Sequence, residues 1–241
     1  DAGGVERAVL LGWYWENAAT CREQNDFYAA ILKQYPERFS AFCALHFAEP
    51  DAAVKELRRC IDLGFIGIGE ALPAIQNCAM DSPGFLKVLA VAEQEGLALN
   101  LHVTEPVGHD YPGRIPTPLD GFLRLAGRFP NLPIILAHWG GLLPFFALNP
   151  RVRPLLKHVF FDTAASPLLY DKAIWELAVK AVGAEKILFG SDYPLRVRPR
   201  TEREPSFAPI LGELAAAGLS DAEQAAIRRN NAASLLFPNQ R

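Results

Sequence analysis

The sequence lacks the marks of a membrane or nucleic-acid-binding protein. Its longest apolar stretch, residues 132–148, is broken by His138, two glycines and two prolines, and it falls short of the roughly 20 apolar residues that a transmembrane helix needs. No cluster of basic residues favours an anionic membrane surface. Its 24 basic and 27 acidic residues give a formal net charge of −3, so the basic footprint of a nucleic-acid-binding domain is absent.

Cysteine is scarce and unpatterned. The four cysteines are scattered without a CxxC spacing: Cys21, Cys43, Cys60 and Cys78. We predict reduced, mostly buried thiols in a cytoplasmic protein, and the alternative is a set of disulfide bonds. Half of the 241 residues are hydrophobic, which excludes a disordered chain. Because no linker or break in composition divides the sequence, we predict a single domain over residues 1–241.

Short apolar runs alternate with longer amphipathic segments along the chain. We predict strands at residues 7–11, 39–45, 65–68, 98–103, 133–137, 159–162 and 187–190. Their near-continuous apolar character is typical of a parallel sheet covered on both faces. Helices are predicted at residues 51–63, 83–95, 119–129 and 172–182. A last helix begins at a capping box of Ser220 and Glu223.

This alternation predicts an α/β fold, either a doubly wound sheet or a (β/α)8 barrel of the TIM type. No GxGxxG or P-loop motif follows any strand, so the usual signature of a nucleotide-binding sheet is missing. Ionisable residues lie instead at or just after the carboxyl ends of five predicted strands: His46, Glu70, His102, His138 and Asp192. Because barrel active sites are built at that rim, we predict a (β/α)8 TIM-barrel-like fold.

Three of these residues suggest a metal site. His102, His138 and Asp192 each lie at or just after the end of an apolar strand. A single histidine there is often a hydrogen-bonded core residue, but a buried carboxylate needs an ion partner or a metal. Neutral imidazoles together with a carboxylate suit Zn²⁺ and related divalent ions.

The segments LHVTEP, ILAHWGG and ILFGSDYP, which contain these three residues, resemble the metal-dependent amidohydrolase superfamily. Over nearly the whole chain, the sequence is most similar to the amidohydrolase-related family, which includes decarboxylases of unsaturated or aromatic acids and lactone hydrolases. The resemblance implies a distorted (β/α)8 barrel in which His102 is a metal ligand. It implies that His138 binds a second metal or polarises substrate and water. It also implies that Asp192 is a metal ligand and proton-transfer group.

One element of the family pattern is missing. The family carries a metal-binding His-x-His pair at the end of its first strand, whereas no two of the five histidines here are two residues apart. The sequence begins at Asp1, its single methionine is Met80, and its first predicted strand matches the family's second. We therefore expect strand 1 to be encoded upstream of this sequence. The alternative is a protein that lacks this strand and cannot hold a metal tightly.

Further residues are candidates for the same rim. Glu70 matches the strand on which some related barrels place a bridging glutamate, and the alternative is a carboxylate paired with an arginine. The residues predicted to contact substrate are Glu105, His109 and Arg114 of one turn-rich loop, together with Trp13 and His46. An arginine fork suits a substrate carboxylate. The alternative for each of these residues is a solvated loop or ordinary packing.

We predict a metal-dependent hydrolase that cleaves an amide, ester or lactone bond of a small molecule through metal-activated water. Asp192 and His138 are the predicted catalytic residues. The predicted metal ligands are His102, Asp192, His138 and Glu70, and the predicted ion is Zn²⁺. A metal-dependent decarboxylase of an unsaturated or aromatic acid is the first alternative, and a catalytically silent or truncated barrel is the second. The partners considered are a small-molecule substrate and a second copy of the chain in a homodimer.

Overall fold

The computed structural model describes residues 3–108 and 110–237, which contain one seven-stranded parallel sheet. The strands lie side by side in chain order, and each pairs in parallel with the next. They are β1 (Ala8–Leu10), β2 (Phe39–Cys43), β3 (Gly67–Ala71), β4 (Ala98–Leu101), β5 (Ile134–Leu136), β6 (Val159–Asp162) and β7 (Ile187–Leu188). This arrangement confirms the predicted α/β class, because parallel strands in chain order are the pattern of TIM-type barrels.

Helices connect the strands, and most of them cover the outer face of the sheet. They are α1 (Ala18–Gln34), α2 (Pro50–Asp62), α3 (Pro83–Gln94), α4 (Leu119–Arg128), α5 (Leu143–Phe146), α6 (Ser166–Leu169), α7 (Ile174–Val182), α8 (Ala208–Ala216), α9 (Asp221–Ala225) and α10 (Asn231–Leu236). Short 3₁₀ turns lie at Pro73–Gln76, His138–Leu142, Arg153–Leu156 and Ala184–Lys186, and a π turn lies at Ala226–Asn230.

Local signals in the sequence explain several of the helix starts. Helix α3 begins with Pro83, and the side chain of Ser82 accepts a hydrogen bond from the backbone of Phe85. Helix α9 begins at the predicted capping box, in which Ser220 and Glu223 exchange hydrogen bonds. Such caps satisfy backbone N–H groups that have no partner within the helix.

Side chains on the two faces of the sheet enter two different apolar layers. On the outer face, Leu99 and Leu101 of β4 pack in the main core between sheet and helices. On the inner face, residues of six strands form a partly buried apolar layer together with residues of α10. This inner layer contains Val9, Phe42, Ile66, Ala98, Ile135, Phe160, Leu188, Leu235 and Leu236. The sheet therefore curls around an interior, which confirms the TIM-barrel-like fold.

The curled sheet is open on one side within residues 3–108 and 110–237. There, β1 and β7 are its two edges, and no described strand joins them. The end of the described chain lies beside the start of β1, because the guanidinium carbon of Arg7 is 4.9 Å from the centre of the Phe237 ring.

All four cysteines are buried, and none forms a disulfide bond. None of the described helices combines the length and the apolar character needed to cross a lipid bilayer. The single domain over residues 1–241, the homodimer and the cytoplasmic location stay predictions.

Candidate metal centre

Three consecutive strands bring three ionisable side chains together at their carboxyl ends. Glu70 lies in β3, His102 directly follows β4, and His138 follows β5. One potential ligand atom from each lies within 4.8 Å of the other two. Glu70 Oε1 is 2.5 Å from His102 Nδ1 and 4.0 Å from His138 Nε2. The rim rule for parallel strands therefore places three of the four predicted metal ligands in one compact group.

The orientation of the His138 ring follows from a single backbone contact. Its Nδ1 lies 3.1 Å from the carbonyl oxygen of Ala164. Because a carbonyl oxygen only accepts hydrogen bonds, Nδ1 carries the proton and donates it. The other nitrogen, Nε2, faces Glu70 with a lone pair in the neutral ring. Metal-binding histidines are commonly fixed in this way by a hydrogen bond from the opposite ring nitrogen.

His138 opens a left-handed turn, His138–Leu142, that hydropathy does not predict. All five residues of this turn have φ between +57° and +70°, a conformation that only glycine adopts readily. Gly140 and Gly141 meet this requirement without a side chain. The indole of Trp139 is buried and donates to Ser166 Oγ at 3.0 Å, so its packing and this hydrogen bond stabilise the turn.

A buried carboxylate that the sequence analysis did not single out supports this turn. Asp162, the last residue of β6, accepts hydrogen bonds from the backbone N–H of His138 at 3.1 Å and of Ala164 at 3.0 Å. Its second carboxyl oxygen accepts a bond of 3.1 Å from the amide of Asn100. An aspartate that ends an apolar strand was the available signal, the same one that identified Asp192.

The charges of the site act strongly on one another. Burial opposes the ionisation of Glu70, but the hydrogen bond and charge of His102 and the charge of His138 outweigh it and lower the pKa of Glu70. Burial lowers the pKa of His138, yet the carboxylates of Glu70, Asp162 and Asp192 outweigh burial and raise that pKa. Burial raises the pKa of Asp162 to about 6, against the charge of His138. Binding of a cation beside Glu70 must therefore compete with the proton that His138 gains at its raised pKa.

Asp192 borders the group without belonging to it. Its carboxylate is half-buried and interacts electrostatically with Glu70, His102 and His138. It is not one of the three residues whose ligand atoms converge within 4.8 Å. Burial and the charge of Glu70 raise the pKa of Asp192 and outweigh the two histidines, which lower it. The residue also has φ +61°, which turns the chain sharply just after β7.

An aromatic side chain forms one wall of the site. The ring of Tyr14 lies 5.7 Å from the ring of His102. Burial, Glu70 and Asp192 raise the pKa of its phenol, so the hydroxyl keeps its proton near neutral pH. Trp13, the predicted substrate contact, stacks on the outer side of Tyr14 at 4.3 Å and is 49% exposed. The sequence pattern could not say which of the adjacent aromatic residues faces the site.

The other predicted substrate contacts lie in local interactions of their own. His46 Nδ1 is 3.5 Å from Glu49 Oε1, and His46 is outside the compact group. Arg114 donates to the backbone oxygen of Glu105 at 2.8 Å and lies 3.6 Å from Asp110. Glu105 accepts a bond of 3.4 Å from the hydroxyl of Tyr170. His109 lies outside the described residues. Their roles toward substrate stay predictions.

The donor set fits a divalent metal ion. Two imidazole groups and a carboxylate held ionised are typical ligands of such ions, and the ring of His138 is already oriented by Ala164. Glu70 pairs with His102 rather than with an arginine, the alternative considered from the sequence. The sequence offers no His-x-His pair to add to these donors.

Comparisons with known proteins identify the family to which the chain belongs. A family model described as amidohydrolase matches residues 5–237. The chain is 27% identical over 198 residues to 2-amino-3-carboxymuconate-6-semialdehyde decarboxylase of Dictyostelium discoideum, covering 70% of this chain and 55% of that protein. It is 28% identical over 220 residues to a gamma-resorcylate decarboxylase of a Polaromonas species, covering 73% of this chain and 66% of the relative. The chain thus spans just over half to two thirds of these relatives.

A solved structure shares the fold. It is that of a dihydroxybenzoic acid decarboxylase from a Polaromonas species, with bound manganese and the inhibitor 2-nitroresorcinol. The TM-score is 0.72 at 22% identity, and the match covers 100% of this chain and 81% of that one. At this identity the likeness supports the fold alone, whereas the family model spans nearly the whole chain. The chain therefore belongs to the amidohydrolase family of enzymes.

Proposed function

We propose that this chain catalyses the metal-dependent, non-oxidative decarboxylation of a small aromatic or unsaturated carboxylic acid. The observation that carries the proposal is the convergence of Glu70, His102 and His138 within 4.8 Å, with the half-buried carboxylate of Asp192 beside them. The two relatives described above are decarboxylases of such acids by name. They favour the decarboxylase alternative over the hydrolase that the sequence analysis placed first.

Glu70, His102 and His138 are the residues that would hold the metal ion. Such an ion supplies Lewis-acid polarisation of substrate oxygens and neutralises their negative charge. The ion is divalent, and manganese, which the solved dihydroxybenzoic acid decarboxylase contains, is our first choice for experiments. Zn²⁺, the prediction from the sequence, is tested beside it.

Asp192 is the proposed proton donor. In decarboxylation, the bond between the ring carbon and the carboxylate breaks, carbon dioxide leaves, and the electron pair stays on the carbon. A proton must take the vacated position, and the acid form of Asp192 can deliver it. The carboxylate left behind regains a proton from solvent, so the cycle consumes one proton and one substrate carboxylate. The charge of His138 acts to lower the pKa of Asp192, which favours release of the Asp192 proton to the substrate.

Tyr14 is the proposed wall for the planar part of the substrate. Its ring lies against His102, and aromatic faces prefer stacked or tilted contacts with other rings. Trp13 backs this ring from the solvent side, which limits the access of water to the reacting carbon. A small organic acid is therefore the partner we propose.

The test compares two reaction classes on the same metal-loaded protein. Protein incubated with Mn²⁺ or Zn²⁺ is given a panel of dihydroxybenzoic acids and a panel of aryl esters and lactones. We expect carbon dioxide release from at least one acid. In heavy water, the product should carry deuterium at the vacated carbon in its NMR spectrum. A chelator-treated sample and a Glu70→Gln variant serve as controls and should be inactive.

Turnover of the esters or lactones without carbon dioxide release would establish the hydrolase instead. Failure of metal-loaded protein on every acid would overturn the proposal and favour the catalytically silent barrel.

A further inference from the structure

The buried carboxylate of Asp162 takes no part in the proposed reaction. The hydrogen bonds that it accepts come from His138 itself and from two residues near His138. The residue is 7% exposed. Oδ1 accepts from the backbone of His138 and of Ala164, and Oδ2 accepts from Asn100. Burial of a carboxylate is costly unless hydrogen bonds or an opposite charge compensate it.

The contacts of Asp162 form a closed loop around His138. One carboxyl oxygen holds the backbone N–H of both His138 and Ala164. The carbonyl of Ala164 in turn accepts the Nδ1 proton of the His138 ring. The backbone and the ring of the same histidine are therefore fixed through a single carboxylate, and Nε2 is left facing Glu70.

The backbone conformation at this point requires such an anchor. His138 has φ +57°, a left-handed conformation that is unfavourable for a residue with a β-carbon. It is followed by four more left-handed residues. Residues in this region persist only where the surrounding structure holds them. A bond at the first N–H of the turn therefore fixes the direction in which the His138 side chain leaves the sheet.

Asn100 holds the carboxylate from the other side. It is 2% exposed, and its Oδ1 has no hydrogen-bond partner among the described residues. Its amide nitrogen is committed to Asp162 Oδ2 at 3.1 Å. Because Asn100 lies on β4 and Asp162 on β6, the pair spans β5 from within the barrel and lies between the inner apolar layer and the site.

We propose that Asp162 is a positioning residue that holds His138 in its metal-binding orientation, with Asn100 as its support. The inference deepens the proposed function and rests on it, because it assigns His138 to the metal site. It also makes a separate claim about the metal-free protein. There, the Nδ1-protonated form of the His138 ring depends on Asp162 through Ala164.

The test uses three variants and two measurements that need no turnover. Asp162→Ala removes both acceptors. Asp162→Asn keeps an oxygen for the two N–H groups, and its amide can bond to Asn100 once that side chain flips. Thr163→Val is the matched control, because Thr163 is also buried on the same segment but its hydroxyl bonds to the backbone of Gly190. The measurements are Mn²⁺ affinity, from the spin-resonance signal of free ion, and the nitrogen NMR shifts of the His138 ring in metal-free protein.

We expect Asp162→Ala to weaken Mn²⁺ binding about 10–100-fold, the usual effect of losing a group that orients a metal ligand. Its His138 ring should lose the Nδ1-protonated signature. Asp162→Asn should restore both properties to within a few-fold of the wild type, and Thr163→Val should leave both unchanged. If Asp162→Ala does not fold, Asn100→Ala frees one carboxyl oxygen and should shift both measurements in the same direction.

Wild-type affinity and wild-type ring signals in Asp162→Ala, or in Asn100→Ala where that variant replaces it, would overturn the inference. Loss of affinity in Thr163→Val to the same degree would also overturn it, because the effect would then be general loosening. If the variants show these effects but the wild-type protein decarboxylates nothing, the proposed function is refuted and the positioning role is left intact.

Discussion

Gly69 lies where β3 and β4 come too close for a side chain, directly beside Glu70. Its φ is +133°, and a β-carbon there would lie 2.5 Å from the backbone oxygen of Asn100 and 2.9 Å from the Asn100 β-carbon. Neither atom is the end of a flexible side chain, so β3 and β4 would have to separate. We therefore predict that Gly69→Ala destabilises the fold and also opens the Glu70–His102 contact.

The size of the loss can be worked from two contributions. A residue with a β-carbon in a positive-φ conformation costs on the order of 1–3 kcal/mol. Overpacking against fixed neighbours costs roughly 1–3 kcal/mol more. We expect Gly69→Ala to lower the free energy of unfolding by about 2–6 kcal/mol. For a chain of this length, each kcal/mol lowers the melting temperature by roughly 2–4 °C.

The matched control is Gly64→Ala, which also places a β-carbon at a positive φ but causes no steric overlap. Gly64 has φ +89°, and no described atom lies within 4 Å of the point that a β-carbon would occupy. Urea unfolding of metal-free protein, followed by circular dichroism, should show a smaller loss of about 1–3 kcal/mol in this variant. Only Gly69→Ala should also weaken Mn²⁺ binding. An equal loss of stability in both variants, with equal metal affinity, would refute the steric argument.

Two further predictions concern charge. At Glu56, burial is outweighed by hydrogen bonds from Arg59 and Asn25, which lower the pKa of its carboxyl. Its stabilising effect is therefore present above the ordinary pKa and is lost as pH falls through the lowered value. At pH 7, Glu56→Gln should have a free energy of unfolding about 1–3 kcal/mol below that of the wild type, measured by urea unfolding. This difference in stability should disappear in acid. Asp192→Asn should lower kcat by about 10²–10⁴-fold. It should not lower the melting temperature of metal-free protein, since it removes a half-buried charge that burial disfavours. Normal turnover would exclude Asp192 as the proton donor.

The strands could be predicted because each is a short apolar run covered on both faces. The prediction at residues 159–162 coincides with β6, while the prediction at 187–190 extends past the two residues of β7. Helix α1, the longest at 17 residues, was not located from the sequence. Its start depends on a bond from the backbone of Thr20 to the side chain of Asn17, and only two of its residues are buried, so its apolar stripe is weak.

The candidate site could be predicted only as far as strand ends determine it. Parallel strands bring their carboxyl ends to one rim, and this rule placed Glu70, His102 and His138 together. It does not say where each side chain points. His46 obeys the same rule but lies against Glu49, and Asp192 stands beside the compact group rather than in it.

The support of the site was the part that the sequence concealed. Asp162 was visible as the end of a strand, but its bonds go to backbone groups, and no side-chain pattern predicts these. The left-handed turn that begins at His138 was not predicted either, although the adjacent glycines Gly140 and Gly141 are the part of the sequence that permits it. From the sequence alone, a pair of glycines after a strand-end histidine does not distinguish this left-handed turn from an ordinary loop.

The register of the sheet connects the core to the chemistry. Glu70 lies in β3, His102 and His138 follow β4 and β5, and Asp162 ends β6. A slip of one residue in any of these pairings would turn a donor to the opposite face of the sheet. That slip would also turn outer-face residues such as Leu99 and Leu136 away from the helices against which they pack. The apolar residues that stabilise the outer face therefore also select the one register in which the three donors converge.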